Sequence, residues 1–414
     1  MLTLQNKDNT AYSLKTNYEI NDKLLEKEWL LTNCIGGYAS SSILGCNTRR
    51  YHGLLTGPLN PPVNRVIGLA NCMEMVVVDG RAYDLSTAEF NGLFNPNGYK
   101  YLKRFRKDVG VHFDFRIEDM KITKSVYLVR NKNIAAVSYT FKNFKRHAEF
   151  IIRPFVSLRD FHGIQKSYAP LYALKMDKGL LIKHNVPESC ELYLKNTDME
   201  FNIDEQWWYN FLYRIDKFRG QDFEEDLWSP GFYKAPICSN ENIVLWANID
   251  NADKSVEGLE TSELSIDKVQ KDWQKYNNQL INNSRTKDTL AQKLYIAADQ
   301  FVTKSGQDIN ARSTILAGYP WFVDWGRDAF ISLPGLLLCT GRYEDAKSVL
   351  VTFANSADEG MIPNRFDDRS GTAYFNSIDA SLWFVNAAFE YLRVTQDQDT
   401  FVNELLPCIL CIMD

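Results

Sequence analysis

The sequence predicts a multidomain protein, with an antiparallel β-sandwich over residues 1–270, a helical linker over 271–287 and a helical domain over 288–414. Three observations carry this reading. At 414 residues the chain exceeds what one hydrophobic core usually serves, so two domains are expected. Up to residue 270 apolar residues recur with the period of two that a half-buried strand requires. From Asp288 onward the period lengthens to that of a helix.

The strands come first. In HFDFRIED (112–119), Phe113, Phe115 and Ile117 share one face, and His112, Asp114 and Arg116 the other. MEMVVVDGRAY (73–83) is an apolar run broken by Asp79-Gly80, a pair that tolerates the positive φ of a tight hairpin. KITKSVYLVR, IAAVSYTFKNF, AEFIIRPFVSL, LYALKMD, GLLIKH, CELYLKN and NIVLWANID continue the series. Many short strands separated by turns fit an antiparallel sandwich. EQWWYNFLYRIDKFRG (205–220) is less regular and is expected to form a loop or short helix at the rim.

The polar stretch QKDWQKYNNQLINNSRTKD reads as a helical linker. Helical stripes follow: Leu290, Leu294, Ala297, Ala298 and Phe301; Tyr343, Ala346, Leu350 and Phe353; Leu382, Val385, Phe389 and Leu392; Phe401, Leu405, Ile409 and Ile412. Gly341 is placed to end a helix. About five helices fit between 289 and 414. The sequence stops at ILCIMD, inside an apolar stripe. It is therefore expected to be a truncated piece of a longer protein, with Leu405, Ile409 and Ile412 exposed for want of covering helices.

Composition narrows the function. A net charge of -5 disfavours nucleic acid or an anionic membrane as partner, because both select for a basic patch. It suits a neutral substrate. Nine Trp and 21 Tyr fit a sugar cleft, where ring faces pack on sugar C–H groups, although an aromatic-rich core gives the same count. The N-terminus shows no secretory signal, and no apolar run is long enough to span a bilayer. The eight scattered Cys read as reduced thiols, which points to the cytoplasm. Oligomeric state is not readable.

No phosphate-loop, zinc-helix or dinucleotide fingerprint is present, and the five His are isolated, so neither cofactor nor metal is expected. Cys408 and Cys411 have C-x-x-C spacing on an apolar helix with no second pair, and read as buried core thiols.

Two stretches carry chemistry. GYPWFVDWGRDAFISLPGLLLCTGRYEDA (318–346) crowds Trp321, Phe322 and Trp325 beside Asp324, Arg327 and Asp328 just before a helix. Asp328 is either a helix cap or an acceptor for sugar hydroxyls, with Trp325 stacked on a ring and Arg327 orienting the carboxylate through a bidentate pair. GMIPNRFDDRSGTAYFNSIDASLWFVNAAFEYL (360–392) places Asp379 at a helix start. It too is either a cap or the proton donor of glycoside hydrolysis, with Tyr374, Phe375 and Trp383 supplying apolar surroundings that keep it protonated. Asp367 and Asp368 compete for that role, but two adjacent acids in a polar loop look solvated.

These two stretches resemble the amylo-α-1,6-glucosidase domain of glycogen debranching enzymes. EWLLTNCIGGYASSSILGCNTRRYHGLLTG (28–57) resembles the opening domain of the bacterial and archaeal members. The resemblance implies a β-sandwich followed by an (α/α)6 toroid, of which this chain would hold the first helices. It implies removal, with inversion, of the α-1,6-linked glucose left at a branch stub of glycogen or a related α-glucan. Asp379 is similar to the family's proposed general acid and Asp328 to a residue that holds the sugar. Arg327, Trp325, Trp321 and Tyr374 would complete the substrate site. The family's general base lies downstream of Asp414. Cys34 and Cys46 stand where small residues, often Gly, are expected, and no α-amylase-like glucanotransferase domain is visible. Asn47, Arg49, Arg50, Tyr51 and His52 are either structural contacts at the domain junction or the border of the sugar cleft.

A disaccharide phosphorylase of similar plan is the nearest alternative, and a non-catalytic glucan-binding module is the third. The chain alone is expected to be inactive.

Overall fold

The computed structural model describes residues 3–4, 10–13, 22–176, 179–185, 189–196, 198–251, 264–284, 286–305, 312–367 and 372–414. Contacts divide the chain into two units. One comprises Met1–Asn33, Gly37–Leu59 and Arg65–Lys271; the other comprises Cys34–Gly36, Asn60–Asn64 and Asp272–Asp414.

The first unit is sheet-rich and antiparallel. One sheet runs, in spatial order, through Leu102–Lys107, Val111–Ile117, Met120–Leu128, Ile134–Lys142, Asn242–Asn251, Cys190–Lys195, Gly179–His184 and Leu171–Met176. The second is built around the long strands Val63–Val78, Ala148–Asp160 and Glu224–Ile237. Alternation explains the shared core: Phe113, Phe115, Ile117, Ile122 and Val137 from one sheet and Val76, Phe150, Ile152 and Trp228 from the other form one buried cluster. Asp79 and Gly80 take φ of 47° and 81°, so Val78 pairs with Arg81 across a two-residue turn. His112, expected on the polar face, is buried; its ring nitrogens lie 2.9 Å from Ser125 Oγ and 3.0 Å from Asp108 Oδ1.

The stretch 205–220 differs from its expectation. Glu200–Leu212 is a strand paired with Glu224–Ile237, and only Arg214–Phe218 is helical. Register shifts between Ile203 and Gln206 and between Trp208 and Phe211 disturb the alternation while pairing continues.

The block 28–57, apart from Cys34–Gly36, is tied into this unit by polar contacts. Asn47 Nδ2 donates to the Ala70 carbonyl at 3.0 Å, and the Arg50 amide donates to Asp216 Oδ2 at 2.6 Å. The Tyr51 hydroxyl lies 3.1 Å from His162 Nδ1. Arg49 Nε donates to Glu28 at 2.6 Å; burial alone would raise the Glu28 carboxyl, but His52 and Arg49 outweigh it and hold the group down at about 2. Burial pushes the Cys46 thiol up to about 12. Cys34 takes φ of 69°, the left-handed conformation that explains why Gly is expected there.

A buried acid organises the second sheet. Glu225 accepts from Arg159 Nη2 and from the Gln165 amide, both at 2.9 Å, and also from Arg159 Nε and the Tyr213 hydroxyl. These donors offset the cost of removing its charge from water.

The second unit is mainly helical. Its longer helices among the described residues are Thr289–Asp299, Gly326–Leu333, Tyr343–Ala354, Asp379–Thr395 and Leu406–Met413; Ile266–Ser284 crosses the boundary between the units. Asp288 caps Thr289–Asp299 by accepting from the Ala291 amide at 2.7 Å. Phe330 packs edge-on against Phe353 and Phe384 at ring separations of 5.0 and 5.4 Å. Asp299 joins the elements by accepting from Tyr276 at 2.7 Å and Arg342 at 2.5 Å, while Arg342 also pairs with Asp345 at 2.7 Å.

Several expected stripes are rotated. Leu290, Leu294, Leu382 and Phe389 are exposed. The Asp379 helix buries Ala380, Phe384, Ala387, Ala388 and Tyr391 instead, because small side chains let neighbouring helices approach. Leu405 and Ile409, expected to be uncovered, are 0% and 4% exposed within the helical core; Leu410 and Met413 are the exposed apolar residues of that segment. Cys411 is exposed rather than buried, and burial raises the Cys408 thiol to about 11. All eight cysteines are free thiols. Among the described residues no helix is long and apolar enough to cross a membrane.

Glu225→Ala strands a buried guanidinium and two further donors. It should destabilise the sheet-rich unit by about 3–5 kcal/mol, read as a lower urea midpoint at unchanged slope.

Candidate active site

The site is built by a loop passing close beside a helix start. Gly326 opens the helix Gly326–Leu333, and a Cβ placed on it would lie 2.3 Å from the Pro363 carbonyl oxygen. Only glycine permits that approach without moving backbone. The approach lets Asn364 satisfy the first amides of the helix. Its carbonyl accepts from Gly326 N at 2.8 Å and its side-chain oxygen from Arg327 N at 3.4 Å. Trp325 precedes the helix in extended conformation and forms a bridge with Arg365. Arg365 and Phe366 then pair with Tyr374 and Ala373, and the Arg365 guanidinium sits 4.6 Å from the centre of the Tyr374 ring.

The chain reaches Asp379 three residues after Asn376. Ile378 occupies the cap position in helical conformation, and Asp379 is the first helical residue. Asp328 is the third residue of its own helix, capped in position by Trp325. Neither carboxylate is therefore an N-cap. Asp379 is instead held from both sides: Ser377 Oγ donates to Oδ1, and Arg327 Nη1 donates to Oδ2 at 3.4 Å. Arg327, expected to orient Asp328 through a bidentate pair, thus reaches across to Asp379 with a single bond. The two residues begin different helices whose packing brings them together.

The electrostatics also differ from expectation. The Ser377 hydroxyl holds the Asp379 carboxyl below the ordinary aspartate range; partial burial opposes this and Arg327 adds to it. Both side chains of the Arg327–Asp379 pair are 42% exposed. Tyr374, Phe375 and Trp383, expected to keep the acid neutral, are themselves exposed. Asp379 is a solvated carboxylate here.

The remaining expected residues are local to the same segments. Phe322 packs against Trp325 at 6.0 Å and against Trp321 at 5.8 Å, and Asp328 is half-buried. Asp324 accepts from Thr314 Oγ1 at 3.2 Å, which fixes it in the turn before the helix. The Asp367 amide donates to the Thr372 carbonyl at 2.9 Å, while Asp368 lies outside the described residues. Two residues escaped the sequence reading. Ser377 carried a signal, a hydroxyl two positions before an acid at a helix start. Asn364 carried none beyond its place in GMIPNRF.

Two helix starts, each bearing an acid, thus meet through the Arg327–Asp379 pair beside exposed aromatics, and likeness to known proteins relates the chain to the glycoside hydrolases. Residues 27–244 match the family described as "Glycogen debranching enzyme N terminal", and residues 296–414 match "Amylo-alpha-1,6-glucosidase". The chain belongs to the glycogen debranching enzyme family. It is 33% identical over 139 residues to the glycogen debranching enzyme of Saccharomyces cerevisiae, a match covering 30% of this chain and 9% of that protein. Its fold is similar to a bacterial glucoamylase complexed with acarbose, with a TM-score of 0.50 and 13% identity over 93% of this chain and 56% of the other. It is also similar to a putative kojibiose phosphorylase from the human microbiome, with a TM-score of 0.53 and 12% identity over 99% and 59%. These neighbours are of the toroid type.

Ser377→Ala removes the main donor to Asp379. A carboxyl-carbon NMR titration should place the native midpoint below about 3.9 and the variant's nearer to it. The ionised form is favoured in the folded chain, so its contribution to stability holds above the unfolded-state value and is lost as pH falls through the native midpoint.

Proposed function

We propose that this chain carries the acid side of a site that hydrolyses α-1,6-glucosidic branch linkages in glycogen or a related α-glucan. The observation that supports this most is Asp379, gripped by Ser377 and Arg327 at the start of a helix inside the segment that matches the amylo-α-1,6-glucosidase family.

Asp379 is the general acid. In the open chain its proton is absent at neutral pH, so the substrate must restore it. A glucosyl unit lying over the carboxyl excludes water and penalises the charged form, which raises the pKa toward the value proton donation needs. Asp328 accepts from sugar hydroxyls, Arg327 fixes the acid's orientation, and Trp325, Trp321 and Tyr374 offer ring faces to the sugar.

Inversion requires a second carboxylate about 6.5–9.5 Å from the acid to activate water. The chain spans 56% and 59% of the two solved structures it resembles. In this proposal the base is none of these 414 residues. The fold shared with a phosphorylase also fits a second reading, in which phosphate replaces water as the nucleophile. Glucose and glucose-1-phosphate, measured with and without added phosphate, separate the two.

The 414-residue chain should release no glucose from a branched limit dextrin above the blank, yet should bind it. Trp325→Ala should weaken that binding about tenfold by calorimetry. Turnover by the unmodified chain would place a base within these residues, with Asp324, Asp367 and Asp368 the first to replace. Equal affinity of the two proteins would remove Trp325 from the site.

A further inference from the structure

We propose that Asn364 is the positioning residue of this site, setting the geometry of Asp379 through both neighbours of its carboxylate. The inference rests on Asp379 being the acid and adds the part that places it.

Asn364 is 3% exposed and makes four bonds in different directions. Its carbonyl and side-chain oxygen hold Gly326 N and Arg327 N, at 2.8 and 3.4 Å. Its own amide donates to the Tyr374 carbonyl at 2.9 Å, and its Nδ2 donates to Asn376 Oδ1 at 3.2 Å. The first pair fixes the backbone from which Arg327 reaches Asp379. The second pair fixes the strand and turn that deliver Ser377, the next residue after Asn376, to the other carboxylate oxygen. The contacts close into a ring: Asn364 to Arg327, Arg327 to Asp379, Asp379 to Ser377, and Ser377 through Asn376 back to Asn364.

A buried amide that satisfied only the backbone of one helix would stabilise the fold and leave Asp379 alone. This side chain bonds to both segments that hold the carboxylate, so its loss removes the Arg327 and Asn376 contacts at once and loosens both, while the backbone bonds to Gly326 and Tyr374 remain. Its side chain is neutral and touches neither carboxylate oxygen. Any effect on Asp379 titration must therefore pass through Arg327 and Ser377.

The test is the carboxyl-carbon titration of Asp379 in the 414-residue chain, with circular dichroism reporting the fold. Asn364→Ala should raise the Asp379 midpoint by about 0.5 pH unit or more while the chain remains folded. Asn376→Ala, at an exposed position, should shift it in the same direction by less, and serves if Asn364→Ala does not fold. A folded Asn364→Ala chain with an unmoved midpoint overturns the proposal, as does an unmoved midpoint in Asn376→Ala where that variant must stand in. The midpoint is read without substrate. Failure of the chain to bind limit dextrin would therefore count against Asp379 as the acid of a glucan site and leave the positioning result intact.

Discussion

The approach of the Gly326 backbone to the Pro363 carbonyl governs where the site's groups can go. With no side chain between them, the loop lies against the helix start and Asn364 reaches the first two amides. Arg327 then leaves its helix in the direction of Asp379. Packing beneath supports the same geometry, since Phe330 from the Gly326 helix and Phe384 from the Asp379 helix meet edge to face. A larger residue at 326 would have to move backbone or loop, and overpacking of that kind costs about 1–3 kcal/mol.

The chemistry depends on that arrangement being open. A general acid must hold its proton at working pH, whereas the donors around Asp379 favour the charged form. The proposed role of Asp379 agrees with this charge only if the substrate switches the acid. Donors that orient the carboxylate also keep it ionised in water, and in the proposed role a sugar that displaces the water reverses the balance. The aromatic residues nearby are exposed, as surfaces awaiting a ligand would be.

Much of the fold was legible in the sequence, for identifiable reasons. The alternation over 113–117 reports burial directly, His112 beside it being buried by its polar partners instead, and Asp79-Gly80 reports its own backbone conformation. The stretch 205–220 was obscured because bulges break the alternation without ending the strand. The buried face of the Asp379 helix was missed because alanines line it, while the bulkier Leu382 and Phe389 point outward. At the site, the acids and aromatics were legible as residue types flanking helix starts. The partner of Arg327 was not, because it lies 52 positions away and depends on tertiary packing. Asn364 was hidden for a related reason: a loop asparagine has no period, and its importance lies in partners from two distant segments.

The proposed function requires that residues 321–328, 360–367 and 372–383 form one glucan-binding surface. A chain labelled with 5-fluorotryptophan carries nine indole reporters and can be titrated with branched limit dextrin. Fluorine resonances of Trp321, Trp325 and Trp383 should move together along one saturation curve, with the other six unchanged. Shifts confined to Trp207 or Trp208 in the sheet-rich unit, or no saturable shift at the three, would contradict it.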